Sequence, residues 1–325
     1  MRAIVITRYG GPEVLAVQER PAPAPKPGHV VIDVKAFGLN HAEIHFRSGA
    51  WGDVAEISGI ECVGLVRADP GGHFVPGQKV MALVGGMGRS IDGSYAELAC
   101  VPATNVVAID SALPWEELAA IPESYATAWT SLHGILSLAA GETVAIRGAT
   151  SALGQAAVNI AAQAGARVIA TTRDAKRAAM LEALGAREVL VESTTLSKRI
   201  RERHPGGIDA VLDIVGNTTV LDSLAALRRG GRVCLVGFLG GGGPLSLEPV
   251  FQVPSGTHLS VFASALVTGT EDFPLSEIPF QAIVDRVADG RYKAKPAAVF
   301  RFEDVQAAHR LMESGAANGK IVVRL

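Results

Sequence analysis

The sequence predicts an α/β protein of two domains, one rich in β-strand and one built on a parallel sheet wound by helices on both faces. Three observations carry this. A chain of 325 residues exceeds what one hydrophobic core usually holds. Its first third reads as short apolar segments cut by proline and glycine. From about residue 123 the rhythm changes to strand and helix in alternation, the pattern of a doubly wound parallel sheet.

In the first region the strand candidates are 1-MRAIVIT-7, 13-EVLAVQE-19, 29-HVVIDVKAF-37, 59-GIECVGLV-66 and 79-KVMALV-84. Between them lie 21-PAPAPKPG-28 and 69-DPGG-72, whose prolines and glycines interrupt regular pairing. This is a compact β barrel or sandwich, and the short proline run is read as an ordered connection rather than a linker. Asn40 falls on a short connection after the third candidate strand.

In the second region the strands are 143-TVAIR-147, 167-RVIATT-172, 187-REVLVE-192, 208-IDAVLDIVG-216, 231-GRVCLVG-237 and 259-LSVFAS-264. Helices are expected from about residue 152, near Asp174 and from Asn217. The result is a Rossmann-type sheet. The tail adds helices near 275–289 and 303–313, then 319-GKIVVRL-325, a strand without a partner in the nucleotide domain that is expected to return to the first.

Composition narrows the function classes. A formal charge of −2 leaves no electrostatic surplus for a phosphate polymer or an anionic membrane, so neither nucleic acid nor membrane is an expected partner. The three cysteines, Cys62, Cys100 and Cys234, are too scattered for a disulfide framework, which fits a reducing cytoplasm. The apolar run between Arg2 and Arg8 is too short for a secretory signal. Residues 148–166 lack formal charge, but Gln155, Asn159 and Gln163 recur at helical spacing and make the polar edge of a helix outside lipid.

The stretch 148-GATSALG-154 follows the first strand of the second region. Three small residues there, Gly148, Ala152 and Gly154, allow a tight turn, close approach of a pyrophosphate, and packing of helix on strand. Ala149, Thr150, Ser151 and Leu153 complete the loop. An ordinary βα turn is the other reading, because Ala152 stands where glycine would permit the closest approach. The end of the second strand reads 170-ATTRDAKR-177. Thr172 stands where an NAD site would place an acid for the ribose, and Arg173 and Arg177 can offer guanidinium groups to a 2′-phosphate, so NADPH is the expected cofactor. Against this, Asp174 can be a helix cap and Lys176 and Arg177 plain solvated charges.

The order of 36-AFGLNHAEIHFRSG-49, 58-SGIECVGLV-66, 92-DGSYAEL-98, 122-PESYATAW-129, the turn at 148–154, 208-IDAVLDIVG-216, 230-GGRVCLVGF-238 and 318-NGKIVV-323 resembles the medium-chain dehydrogenase/reductase superfamily, in its zinc-free quinone oxidoreductase branch. The resemblance spans nearly the whole chain. It implies a GroES-like catalytic domain over 1–122 and 268–325 and a Rossmann nucleotide domain over 123–267. The positions that hold catalytic zinc in the alcohol dehydrogenases are Asn40, Ile60 and Glu123 here, and the cysteine-rich structural lobe is replaced by 85-GGMGRSIDGSYAELAC-100. Zinc needs several convergent nitrogen or sulfur donors, so no metal is expected. Glu61 is read as a buried hydrogen-bond partner rather than a ligand.

Without a Lewis acid, a conjugated acceptor is favoured over a plain ketone, because it can delocalise charge after hydride addition. Quinones and α,β-unsaturated carbonyl compounds are the implied substrates. The resemblance places nicotinamide in the cleft between the domains, with Asn40 and Thr127 nearby and Val236, Gly237, Phe238, Phe262 and Ala263 lining the ring. His45 stands where relatives often carry tyrosine, and is either a proton or hydrogen-bond donor or a structural residue. Glu192 stands where relatives carry a tyrosine near the third strand, and Lys320 either reaches the pyrophosphate or faces water. The last sheet strand, 259–267, is an apolar edge that implies a homodimer. Two other readings of the fold are a nucleotide-binding protein without turnover and a nucleic-acid-binding member, the latter without a basic stripe to support it.

Overall fold

The computed structural model describes all residues from Met1 to Leu325 and divides into two compact units. The first comprises Met1–Ala126, Ala265–Gly290 and Ala294–Leu325, and the second Thr127–Ser264 with Arg291–Lys293. In chain order the strands are β1 (Arg2–Ile6), β2 (Leu15–Glu19), β3 (His29–Gly38), β4 (Glu61–Ala68), β5 (Lys79–Leu83), β6 (Leu98–Pro102) and β7 (Val106–Ala108). The second unit carries β8 (Thr143–Arg147), β9 (Arg167–Thr172), β10 (Glu188–Val191), β11 (Ile208–Asp213), β12 (Leu227–Leu235) and β13 (His258–Val261). The chain then adds β14 (Ala298–Arg301) and β15 (Ile321–Arg324) to the first unit.

The first unit is the expected β-rich, GroES-like domain. Its main sheet runs β14-β15-β3-β4-β5-β7, with β6 also paired to β3, and β1 and β2 form an antiparallel pair. Alternation along β3 sends Val30, Ile32 and Val34 into the core with Ile4, Val101 and Val323, where Phe37 stacks on Tyr95 at 4.5 Å between ring centroids. The terminal strand β15 lies antiparallel to β3, Val322 opposite Gly38 and Val323 opposite Phe37. On the other side of β3, β4 pairs with Ala36 opposite Val63, which carries the start of β4 toward Gly38. Three chain segments far apart in sequence therefore meet at the end of β3.

The second unit is a six-stranded sheet, β10-β9-β8-β11-β12-β13, in which every pair is parallel. Ala145, Ile169, Val211, Val233 and Leu224 form part of its core. The strand order reverses between β8 and β11, and in such sheets ligands bind outside the carboxyl ends of the strands at that reversal.

Several elements differ from the sequence reading. Asn40 is not on a plain connection but immediately precedes the helix His41–Ser48. The helix expected from Asn217 begins at Val220, because the Asp213 carboxylate first takes the N–H groups of Val215 and Gly216 and the Thr219 hydroxyl, holding the segment as a turn. The helix expected near Asp174 opens as a 3-10 turn, Ala175–Arg177, before Ala178–Ala183. The last sheet strand stops at Val261, and Ser264–Val267 is a single helical turn.

Candidate active site

In the first unit the site is built on the end of β3. Asn40 precedes the helix His41–Ser48, and Glu43, three residues on, returns a carboxyl oxygen to the Asn40 backbone N–H as in a capping box. Continuing the β15–β3 register by two residues sets Lys320 against Asn40, and the Lys320 ammonium donates to Asn40 Oδ1 at 2.7 Å. The same ammonium forms an ion pair with Glu61 at the start of β4. Asn40 Nδ2 donates to Glu61 Oε1 at 2.8 Å, and the Glu123 backbone N–H donates to Glu61 Oε2 at 2.8 Å. Glu61 and Lys320 are 0% and 5% exposed, while Asn40 is half-buried.

Beneath this layer lies a second buried polar chain. The Glu43 carboxyl is fully buried and accepts from the Ile60 N–H at 3.1 Å. Burial pushes it up to about 8, against the opposing pull of the Asn40 and Ile60 amides and the Lys320 charge. Tyr95 hydrogen-bonds Glu43 and meets His309 Nε2 at 2.9 Å, and burial holds the His309 imidazole down at about 3. His45, on the exposed-edge turn of its helix, stacks on Trp51 at 4.9 Å with an 11° tilt, and burial lowers it below the usual imidazole range.

The donor set does not fit zinc. Ile60 offers no ligand atom, Asn40 and Glu61 are bonded to each other and to Lys320, and no three His, Cys, Asp or Glu side chains converge anywhere in the chain. The cysteines offer no alternative, since burial raises the thiols of Cys62 and Cys234 to about 12.

In the second unit the turn after β8 is tight and leads directly into a helix. Gly148 sits at φ +80°, open to glycine, and Ser151 caps the helix Ala152–Gln163 by accepting the Gly154 N–H at 3.0 Å. A Cβ on Gly154 would lie 2.4 Å from the Gly148 carbonyl oxygen, so glycine is what lets the helix pack down on the turn. The Gly148 N–H is itself held by Thr171 Oγ1 at 3.1 Å. Ala149 is buried, and Thr150, Ser151, Ala152 and Leu153 are half-buried around the helix start. A helix N-terminus without acidic residues in its first turn suits an anion.

At the end of β9, Thr172 is buried and its hydroxyl closes on Asp174, donating to the carbonyl and accepting the N–H. Asp174 caps the following turn through the Lys176 N–H at 3.0 Å, while Arg173 is exposed and Arg177 Nε stands 4.0 Å from the Asp174 carboxylate. Asp174 thus caps the turn while Arg173 is exposed and Arg177 half-buried beside it. Val236 and Gly237 follow β12 and are half-buried, Phe238 and Ala263 are exposed, and Phe262 is buried. Thr127 is buried in the helix Pro122–Trp129.

Two features were not anticipated from the sequence. Arg147, the last residue of β8, is 1% exposed and gives its guanidinium to Glu192, Asp222, Ser223, the Thr219 carbonyl and the Ser193 carbonyl. Glu192 is therefore half of a buried network, also taking the Thr171 hydroxyl at 2.8 Å. The Lys320–Glu61–Asn40 cluster was not anticipated as a unit, although the spacing 40-NHAE-43 carried a capping signal. Lys320, expected at the pyrophosphate or in water, is engaged within the first unit.

Comparison with known proteins agrees with this architecture. Residues 26–111 match the alcohol dehydrogenase GroES-like domain and residues 152–280 the zinc-binding dehydrogenase domain. The chain is 30% identical to the quinone oxidoreductase of Sus scrofa, over 100% of this chain and 98% of that protein. A mycobacterial protein solved in complex with NADPH is 27% identical with a TM-score of 0.86, each chain covered completely. The quinone oxidoreductase of Pseudomonas syringae is 25% identical with a TM-score of 0.87, covering 100% of this chain and 99% of that one. With its matched domains, its full-length relatives and a site whose donors cannot hold zinc, the chain belongs to the medium-chain dehydrogenase/reductase superfamily, in the zinc-free quinone oxidoreductase branch.

Proposed function

We propose that this protein is an NADPH-dependent oxidoreductase that reduces quinones or α,β-unsaturated carbonyl compounds without a metal. The observation that carries this reading is the Asn40 amide, held by Lys320 and Glu61 at a position where zinc-dependent relatives place a ligand. The turn at Gly148–Gly154 and the exposed Arg173 and half-buried Arg177 fit the pyrophosphate and 2′-phosphate of NADPH, and the relative solved with NADPH supports that cofactor. When bound, NADPH supplies the hydride.

The chain's own residues then meet the acceptor. Addition of hydride to a conjugated carbonyl leaves negative charge on oxygen, and a fixed N–H aimed at developing charge lowers the barrier. Asn40 Nδ2 uses one N–H on Glu61 and keeps the other for that oxygen. In well-formed sites one such donor is worth about 2.7–4 kcal/mol, and at a half-buried amide the lower end applies. His45 and Thr127 belong to the acceptor side in this reading. Lowered below its usual range by burial, the His45 imidazole is neutral near pH 7 and serves as a hydrogen-bond partner rather than a cation. The protein works as a homodimer joined along β13, an edge strand whose Val261 is 68% exposed.

Steady-state oxidation of NADPH by a quinone and by an enone, run beside nucleotide binding without acceptor, tests the assignment. Turnover with at least one acceptor is expected. Tight NADPH binding with no turnover on either would replace it with a nucleotide-binding role.

A further inference from the structure

We propose that Lys320 and Glu61, paired over Gly38, are positioning residues that fix which way round the Asn40 amide sits, so that its second N–H stays available to the acceptor oxygen. The inference rests on the role given to Asn40 above and assigns Lys320 a task different from cofactor binding.

Strand register makes the pair. β15 and β4 flank β3, and their registers bring Lys320 and Glu61 to the two sides of Gly38. The space they share exists because residue 38 has no side chain. A Cβ there would lie 2.4 Å from Lys320 Cε, 2.5 Å from Glu61 Oε1 and 2.9 Å from the Ala119 carbonyl oxygen. The last of these is backbone and cannot turn aside. Gly38 is not in the left-handed region, so its requirement is for room and not for conformation.

The pair decides the amide's orientation by chemistry alone. An ammonium has donors and no acceptor, so only Oδ1 can face Lys320, and Nδ2 is then left facing the Glu61 carboxylate. Turning the amide over would set N–H against ammonium and carbonyl oxygen against carboxylate, two repulsions in a site where both charges are nearly excluded from water. The terminal torsion of asparagine is otherwise soft. Without the pair the amide would divide its time between orientations, and in one of them it would present oxygen to a developing oxyanion.

Three measurements on the full-length protein test this: acceptor kcat and KM, NADPH affinity by nucleotide fluorescence, and the side-chain ¹⁵N resonances of Asn40. In the native protein the two Asn40 side-chain protons should differ in exchange, the one on Glu61 being protected. In Lys320→Met that difference should collapse and kcat should fall about tenfold, with NADPH affinity unchanged. Lys320→Gln, which keeps an N–H for Oδ1, should recover part of the loss. In an Asn40→Ala background, Lys320→Met should lower kcat no further. If Lys320→Met does not fold, Lys320→Gln carries the test on a smaller scale, with a reduced exchange difference at Asn40 and a smaller fall in kcat at unchanged NADPH affinity.

A loss of NADPH affinity that accounts for the whole effect would overturn the proposal and return Lys320 to the pyrophosphate. An equal loss with and without Asn40, or unaltered Asn40 resonances in the variant, would overturn it also. An unchanged kcat in Asn40→Ala alone would remove Asn40 from the chemistry, while the resonances would still decide whether the pair holds the amide.

Discussion

The two units each bury a positive charge at the end of a strand, and they spend it differently. In the second, Arg147 closes β8 with a planar guanidinium whose donors all go to protein: Glu192, Asp222, Ser223 and two carbonyls. In the first, Lys320 enters β15 with a compact ammonium that meets one carboxylate and one amide, that of the half-buried Asn40. A fully satisfied fork braces the strand ends next to the turn at Gly148. A point charge on a soft amide instead sets the orientation of a group that still has hydrogen-bonding capacity left. The difference follows from the donors, five in a rigid fork against three on a single atom.

The sharpest way to break the comparison is on the arginine side. Arg147→Met would leave the Glu192 and Asp222 carboxylates, each with only 14% exposure, without their cation. Denaturant titration should show a loss of about 3–5 kcal/mol, with kcat per folded molecule little changed. A large fall in kcat without loss of stability would place Arg147 in the chemistry instead.

On the lysine side, Gly38→Ala inserts a methyl group into the ion pair. The expected result is a loss of about 1–3 kcal/mol together with a fall in kcat, since the pair and the Asn40 amide move together. Stability lost with kcat intact would separate the pair from the amide.

The buried chain below them titrates in two directions. Glu43 is held at about 8 in the fold against the ordinary carboxylate value, so its contribution is complete at acid pH and is lost as pH rises from about 4.5 to about 8. His309, held at about 3 against an ordinary value of 6.5, contributes fully above that value and is lost as pH falls toward 3. Thermal unfolding across pH should flatten on the alkaline side in Glu43→Gln and leave the acid side as it was.

Smallest is the effect expected at the exposed end of β9. Replacing Arg173 and Arg177 with alanine should raise the KM for NADPH about fivefold per arginine, the scale of about 1 kcal/mol for an accessible charge pair, and leave NADH nearly unaffected. Equal losses with both nucleotides would show that these side chains do not read the 2′-phosphate.

What was legible in the sequence was what is local. Gly148 and Gly154 are demanded by a turn of seven residues, and the strand and helix rhythm around them fixes a parallel sheet before any contact is known. Ile60, which cannot coordinate, was visible at a position where the resemblance puts a zinc ligand of the metal-dependent relatives. The charged cluster was not, because Asn40 lies 21 residues from Glu61 and 280 from Lys320, and only the β15–β3–β4 registers bring them together. Glu192 shows the same limit. Its departure from the tyrosine of relatives was visible, but its partner Arg147, 45 residues away, read as an ordinary strand end.

Transfer of deuterium from the reactive position of NADPH to an enone, in chelator-treated protein, tests the central claim most directly. Product carrying the label on carbon, formed at the rate of untreated protein and more slowly by Asn40→Ala, is the result this account predicts. Label recovered only in water, or activity that disappears with a stoichiometric metal, would contradict it.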